Sequence, residues 1–288
     1  MRFLATYTIL LLDRLLSRLF YRHEWGWVGA GGDDSWDADI RICAILHHTS
    51  LYEPVFAAVP PNRFLRRIAR AGVVPIADKT LERPFIGHFF KLVASDVVPV
   101  TRQRDETWRE VVRHAGPGKM VLLLPEGRMK RATGLDAEGK PMTVRGGIAD
   151  LIDAVGGGKM LLAYSGGLHH LQHPGERLPR LFKTVRMNLE LVDLTAYRAE
   201  LHARQTSDES FRRVVVRDLE RRRDLFSPTE GKPVGIPDPE AFAREESAKR
   251  EASPGEEAFA EPGALSRKEE ETPAMERAAT PAKEVERG

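Results

Sequence analysis

From residue 40 onward the chain alternates between two kinds of apolar pattern. The short, almost wholly apolar runs are IRICAIL, GVVPIA, VVPVT, KMVLLLP and KMLLAYS, and TVRMNLELV follows as an alternating run. The segments between them, with apolar residues at helical spacing, are FLRRIARA, PFIGHFFKLVAS, ETWREVVRHA and GGIADLIDAV. Short apolar runs of this kind indicate buried strands, and the periodic segments indicate helices. The sequence therefore predicts an α/β fold whose central sheet is mainly parallel and is covered by helices on both faces.

Residues 1–28 are predicted to form an amphipathic helix at a membrane interface. The apolar run from Phe3 to Leu12 is shorter than the roughly 20 residues that a membrane-spanning helix needs. Charged residues interrupt it, apolar residues continue at helical spacing, and no small-residue cleavage site of a secretory signal follows. Trp25 and Trp27 are suited to anchor such a helix at the lipid headgroups. The alternative is a helix that packs on the protein's own core.

Residues 29–228 are predicted to form one domain, which opens with a loop at 29–38 and ends with a helix from Phe211. Residues 229–288 are rich in Glu, Ala, Pro, Lys and Ser, and this composition predicts a disordered charged tail. The tail holds 15 acidic and 9 basic residues, which leaves 35 basic and 27 acidic residues in the body. A basic body suits a phosphate-bearing substrate or an anionic membrane, although a merely basic surface has the same composition.

Polar residues that are able to do chemistry follow the predicted strands. They are His48, Lys79, Arg102, the group Glu126, Gly127 and Arg128, and the group Ser165, Gly166 and Gly167. The carboxyl ends of parallel strands meet at one edge of a sheet, where ligands bind in such folds. The sequence therefore predicts a site at that edge with one base, several cations and some glycines.

The strongest candidate within this set is the pair formed by His48 and Glu53 in the stretch HTSLYE. A neutral imidazole accepts a proton from a hydroxyl near pH 7, and a carboxylate that fixes its tautomer improves it as a base. Glu53 precedes Pro54, so it is placed to begin the next helix. Taken alone, the pair is weak evidence for a site, because two polar residues at this spacing are more often part of an ordinary loop.

Four blocks in order resemble the glycerolipid acyltransferases, whose best-known members are lysophosphatidate acyltransferases. The first is HTSLYE, similar to the histidine, four residues and aspartate of that family. The others are ADKTLERPFIGHFFKLVASDVVPVTRQR, LLLPEGRMKR followed by TVRGGIADL, and MLLAYSGG. The resemblance covers roughly residues 40–195, and an ordered set of four blocks is more specific than any one of them.

The resemblance implies transfer of a fatty acyl group from a thioester of coenzyme A or acyl carrier protein to the hydroxyl of a lysophospholipid, with 1-acylglycerol-3-phosphate favoured. It implies His48 as general base and Glu53 as its orienting partner. Substrate-binding roles fall on Lys79, Arg102, Glu126, Gly127, Arg128 and Arg131, where the two last compete for one arginine position. Neither a metal nor a resident cofactor is expected, and no nucleic acid; membrane lipids are the expected partners.

Three departures from the family pattern leave the acceptor open. Glu53 replaces the usual aspartate, no threonine follows Gly127, and Ala163 and Tyr164 stand where the family often has a valine and a proline. Glycerol-3-phosphate and amphiphiles without phosphate therefore remain alternative acceptors.

The single cysteine, Cys43, forms no internal disulfide, which favours a reducing compartment and hence the cytoplasmic face of a membrane.

Other functions compete for the same residues. AYSGG, around Ser165, differs from the nucleophile elbow of serine hydrolases by one alanine, and a triad would then need residues such as Asp193 and His202. HHLQH, with His169 and His173 at helical spacing, suggests a metal site, but a proline and a glycine follow it and favour a histidine-rich loop. A third alternative is a membrane-binding module without catalysis.

Overall fold

The computed structural model describes residues 2–84, 86–101, 105–173, 176, 178–229 and 231–252. The strands are β1 Arg22–Trp27, β2 Ile40–Leu46, β3 Gly72–Ala77, β4 Asp96–Val100, β5 Met120–Leu123, β6 Lys159–Ser165 and β7 Thr184–Asp193. The helices are α1 Arg2–Phe20, α2 Asn62–Ala71, α3 Asp78–Leu81, α4 Ile86–Phe90, α5 Glu106–His114, α6 Gly147–Ala154, α7 Leu194–Arg204, α8 Phe211–Phe226 and α9 Pro239–Ala252. Two 3-10 helices span Asp33–Asp37 and Glu53–Ala58.

The seven strands form one sheet in the order β1-β7-β6-β2-β5-β3-β4. All neighbouring pairs are parallel except β6 and β7. One core cluster joins a face of the sheet to α5, α6, α7 and α8, and a second joins the other face to α1 and α2. Alternate residues of β2 supply both clusters, as expected for a strand that is buried on both sides. The predicted α/β fold with a mainly parallel, doubly covered sheet is confirmed.

One edge of the sheet collects the strand ends that matter for function. β2, β3, β4, β5 and β6 run in the same direction, so their carboxyl ends lie at this edge. β7 runs the opposite way and begins there, with Met187 opposite Ser165, whereas its last residue, Asp193, lies opposite Lys159 at the far edge. We call the edge that holds Ser165 the site edge.

The amino-terminal prediction was wrong at its end, because the helix stops at Phe20 and residues 22–27 form β1. β1 pairs with β7 in parallel register, with Arg22 beside Thr184. The edge strand leaves little apolar signal because only part of its surface is covered. A Cβ on Gly26 would stand 2.6 Å from the Cα of Gly235, so glycine is required where these two backbones approach.

The predicted boundary after residue 228 was also wrong, because residues 231–252 have defined structure. The buried amide of Asn188 donates to the carbonyl oxygens of Phe226 and Pro233 at 2.9 and 3.1 Å, and its Oδ1 accepts from Gly235 N at 2.8 Å. Ile236, only 3 % exposed, bridges to Val28. Hydrogen bonds to a distant strand therefore hold residues 233–236, and composition does not register them. The predicted tail from 253 to 288 lies outside the described residues.

Smaller differences concern local elements. The predicted loop 29–38 contains the 3-10 helix Asp33–Asp37, whose Trp36 is buried. The helix expected over 84–95 is shorter in the structure, where α4 covers five residues, Ile86–Phe90. α7 and α9 were not predicted. No helix in the described ranges combines the length and the apolarity that crossing a bilayer requires.

Candidate active site

The turn after β2 places His48 at the site edge. β2 ends at Leu46, and His47 adopts a left-handed backbone with φ of 68°, which is uncommon for a residue with a large side chain. Nδ1 of His47 lies 3.0 Å from the carbonyl oxygen of Ser165, and this hydrogen bond fixes the ring. The carbonyl oxygen of His48 accepts from Lys130 N at 2.8 Å. The reversal at His47 turns the next side chain, His48, into a buried position.

His48 and Glu53 are in direct contact, with 2.8 Å between Nδ1 and Oε1. The same carboxylate oxygen accepts from the backbone N–H groups of Thr49 at 3.2 Å and Ser50 at 3.1 Å. Glu53 is buried and is the first residue of the 3-10 helix Glu53–Ala58. An ionised carboxylate only accepts, so Nδ1 carries the hydrogen and Nε2 holds the free lone pair. No described residue hydrogen-bonds to Nε2 of His48.

Two opposing effects set the pKa of His48. Burial, the largest single effect, lowers it because the imidazolium is poorly solvated there. The charge and hydrogen bond of Glu53 and the charge of Glu126 together outweigh burial, so the pKa of His48 is raised above its ordinary value. The site therefore favours an imidazole that has taken up a proton, which is the form a general base reaches when it removes one.

Glu126 fixes the backbone of the same turn. Its Oε1 accepts from His47 N at 3.2 Å, and its Oε2 accepts from His48 N at 2.6 Å. Arg223, on α8, donates to Oε1 at 3.0 Å. The side chain of Glu126 is 2 % exposed and that of Arg223 is 13 % exposed, so this is a buried ion pair. Glu126 was predicted to bind substrate, yet both of its oxygens already accept from the protein.

The remaining predicted substrate ligands differ in availability. Arg128 pairs with Asp136 at 2.5 Å and with Glu138 at 2.8 Å, so its charge is neutralised within the protein. Gly127 is exposed with φ of 65°, and its N–H already donates to the carbonyl oxygen of Leu124.

The other predicted cations are not joined to His48 by any described contact. Lys79 and Arg131 are exposed, and neither forms an ion pair with a described residue. The prediction for Arg102 lies outside the described residues.

Sequence reasoning missed three contributors to the site. Lys130 is half-buried, and its charge, after the larger effect of burial, lowers the pKa of His47. Thr49 Oγ1 accepts from Leu168 N at 2.7 Å and ties the turn to the loop after β6. Arg223 is the third. Lys130 lies within the quoted LLLPEGRMKR block, so its place in that block was a usable signal, whereas Arg223 lies 97 residues from Glu126 and had none.

The structure does not assemble the alternative hydrolase site. Ser165 is fully buried, and its Oγ accepts from Gly167 N at 3.0 Å. His47 contacts the carbonyl oxygen of Ser165 and not its hydroxyl. Asp193 caps α7 through Ala196 N at the far edge of the sheet, and His202 stacks on a ring of α8. The proposed triad residues are therefore apart.

The histidine-rich loop does not build a metal cluster either. The rings of His169 and His173 are stacked with centroids 5.7 Å apart, and Nε2 of His169 lies 2.6 Å from the carbonyl oxygen of Lys130. Within the part of the chain that the structure describes, no three His, Cys, Asp or Glu side chains are grouped so as to hold a metal ion.

Comparisons with known proteins found similarity in fold but no match in sequence. No family model matches the sequence, and no curated protein matches it. The fold is similar to the crystal structure of the 1-acyl-sn-glycerophosphate (LPA) acyltransferase, PlsC, from Thermotoga maritima. The similarity has a TM-score of 0.44 at 17 % sequence identity and covers 70 % of this chain and 72 % of that one.

Proposed function

We propose that this protein is an O-acyltransferase that moves a fatty acyl group from a thioester to the hydroxyl of a lysophospholipid. The observation that carries the proposal is the buried contact between His48 Nδ1 and Glu53 Oε1, with no described partner on Nε2. The order of the four sequence blocks agrees with it, since the block that contains His48 and the block that contains Glu126 meet at one turn.

The reaction follows from the chemistry of the imidazole. The acceptor hydroxyl donates to Nε2 of His48, which takes its proton while the oxygen attacks the thioester carbonyl. Glu53 stabilises the imidazolium that forms, as its effect on the pKa of His48 indicates. The tetrahedral intermediate then collapses, the carbon–sulfur bond breaks, and the imidazolium returns its proton to the departing thiolate. The products are the acylated lipid and a free thiol, with no acyl-enzyme.

The acceptor's phosphate would be held by cations at the site edge. Lys79 and Arg131 are exposed and have no described ion pair, and the sequence resemblance adds Arg102. Lys130 joins this set because its charge acts on His47, next to the base. Arg128 does not belong to this set, because its guanidinium pairs with Asp136 and Glu138 within the protein. Cations matched to a phosphate favour 1-acylglycerol-3-phosphate over an uncharged amphiphile.

The amino-terminal helix supports action at a lipid surface. Leu12, Leu15, Leu16 and Leu19 share one face of α1 and are 53, 63, 44 and 64 % exposed. The opposite face buries Thr6, Leu10 and Ser17 against the protein. The leucine-rich face thus points away from the protein, which is the reverse of an ordinary surface helix. We infer a peripheral or monotopic protein whose α1 lies in the interface of the membrane, at its cytoplasmic face.

The proposal is tested by lipid mass spectrometry of cells that overproduce the wild type or His48→Ala. The wild type is expected to raise the diacyl product and lower its lysolipid, and His48→Ala is expected to abolish both changes. Ser165→Ala is the control and is expected to retain transfer. Purified protein assayed with lysophosphatidate, glycerol-3-phosphate and neutral acceptors, each with coenzyme A and acyl carrier protein thioesters, identifies both substrates. Transfer that survives His48→Ala would refute the mechanism.

A further inference from the structure

The segment between β6 and β7 exposes large apolar side chains that the proposed reaction does not use. Leu178, Leu181 and Phe182 are 80, 43 and 74 % exposed, and we call residues 178–182 the apolar loop. Within the described ranges, every exposed large apolar side chain belongs to this loop, to α1 or to β1. Apolar side chains confined in this way mark an interaction surface.

The apolar loop is joined to the end of α1. Phe182 N donates to the carbonyl oxygen of Phe20 at 2.7 Å, and the two rings meet edge to face with centroids 6.1 Å apart. β1 and β7 begin side by side directly after these two segments, with Arg22 beside Thr184. The carboxyl-terminal end of α1 and the apolar loop therefore meet at the site edge of the sheet.

The backbone of Phe182 is strained, with φ of 60°, a conformation that bulky residues rarely adopt. The hydrogen bond to Phe20 holds this conformation, and the phenyl ring is left largely in solvent. The structure thus keeps an aromatic ring exposed at a cost in backbone energy, which is typical of residues kept for contact with a partner.

The charges around the loop fit anionic lipid. Arg22 and Lys183 flank it, are exposed, and form no ion pair with a described residue. Two carboxylates that lie close in sequence to the loop and to Arg22 are already paired, since Glu176 bonds to Arg180 and Glu24 bonds to a cation of β7. Apolar side chains bordered by unpaired cations are suited to insert between anionic headgroups.

We propose that the apolar loop is a second lipid contact, which docks on an anionic membrane together with α1. The same connection packs on the site, because Leu168 N donates to Thr49 Oγ1 at 2.7 Å and Ser50 Oγ donates to Gln172 at 3.2 Å. Docking through both segments turns the site edge, and with it His48, towards the lipid. This orientation serves the proposed function, whereas the binding itself is measured without catalysis.

The test is cosedimentation with vesicles of equal parts phosphatidylcholine and phosphatidylglycerol, and with phosphatidylcholine alone. Leu178→Gln combined with Phe182→Asn removes apolar surface, and asparagine tolerates the left-handed backbone at 182. Affinity is expected to fall by roughly tenfold or more, since two apolar side chains no longer leave water. Lys183→Gln is expected to weaken binding only to the anionic vesicles, and Lys119→Gln, at the far edge of the sheet, is the matched control for charge.

A second measurement remains informative if the double variant folds poorly. Cys43 is buried, so a polarity-sensitive dye on Leu181→Cys reports the loop alone, and Lys119→Cys serves as its control. A blue shift with anionic vesicles at 181 and none at 119 supports the proposal. The proposal is overturned if the folded double variant binds vesicles as tightly as the wild type. It is also overturned if the double variant loses self-association and keeps its vesicle binding. His48→Ala is expected to bind vesicles as the wild type does, so a failed acyl transfer assay is told apart from failed docking.

Discussion

Glu126→Gln is expected to disturb the turn that positions His48, the proposed base, while leaving the imidazole itself unchanged. The glutamate accepts from two backbone N–H groups, those of His47 and His48, and from Arg223. Glutamine keeps the shape but has one acceptor oxygen and an amide that donates. At least one buried N–H of the turn would then face another donor, and the buried guanidinium of Arg223 would lose its carboxylate.

The magnitude follows from these lost contacts. An unsatisfied buried N–H costs about 1–3 kcal/mol. Removing one partner of a buried ion pair costs about 3–5 kcal/mol, although Asp224 also bonds to Arg223 at 2.8 Å and offsets part of it. We expect Glu126→Gln to lower the free energy of unfolding by about 4 kcal/mol, a large share of the 5–15 kcal/mol of an ordinary domain. Asp224→Asn, whose side chain is 55 % exposed, is the control and is expected to change little.

The assay combines urea unfolding with steady-state kinetics on the folded fraction. Glu126→Gln, Arg223→Met and the double variant form a cycle, in which a coupling of about 1–3 kcal/mol is expected for groups in direct contact. The turnover number should fall more than the Michaelis constant rises, because His48, the proposed base, is displaced and the cations proposed to hold the acceptor are not. Independent, additive effects of the two substitutions, or a Glu126→Gln variant as stable as Asp224→Asn, would refute the buried pair.

Three further predictions concern single groups and the carboxyl-terminal segment. Glu53→Asp should retain activity and Glu53→Gln should lose most of it. Because Glu53 raises the pKa of His48, the acidic limb of the pH–rate profile should move to lower pH in Glu53→Gln. An acidic limb that does not move would contradict this reasoning. Burial raises the pKa of Asp13 to about 7 from 3.8, so its contribution to stability is full below about pH 4 and is lost as the pH rises through about 7. Asp13→Asn should therefore raise the free energy of unfolding by about 2 kcal/mol above that range and leave it unchanged in acid, as melting curves at both pH values would show. Removal of residues 253–288 should leave activity and melting temperature unchanged, whereas a chain that ends at 228 should melt lower because Asn188 loses two of its hydrogen bonds.

The sequence predicted those parts of the fold that apolar burial dictates. β2, β5 and β6 are buried on both faces, so their composition alone marks them as strands. The sequence did not predict β1 or the segment after Phe226, because backbone hydrogen bonds and one buried asparagine hold them. Neither kind of contact leaves a periodic pattern of apolar residues. The long apolar run of α1 did not show which face of the helix packs on the protein. In the structure its exposed leucines face outwards, and small polar residues face the protein.

In the candidate site, too, the sequence predicted some features and missed others. His48 and Glu53 are five residues apart, and one turn and a helix start bring them together. The spacing allowed this contact, and the resemblance of the four ordered blocks singled it out. Arg128 was predicted as a ligand from the resemblance, but its charge pairs with Asp136 and Glu138, and no local pattern indicates that pairing. Residue type sets what a group is able to bind, and only the folded surroundings decide whether it is still available.

Two buried carboxylates act on His48 by different routes, and the difference decides how their variants should behave. Glu53 bonds to the ring, so it sets the tautomer and would stabilise the imidazolium that the proposed base forms. Glu126 bonds to the backbone of His47 and His48, so it sets where the ring stands, and only its charge reaches the ring. A loss of Glu53 should therefore appear in the rate and its pH profile with little loss of fold. A loss of Glu126 should appear first in stability, and a single assay of activity would confuse the two.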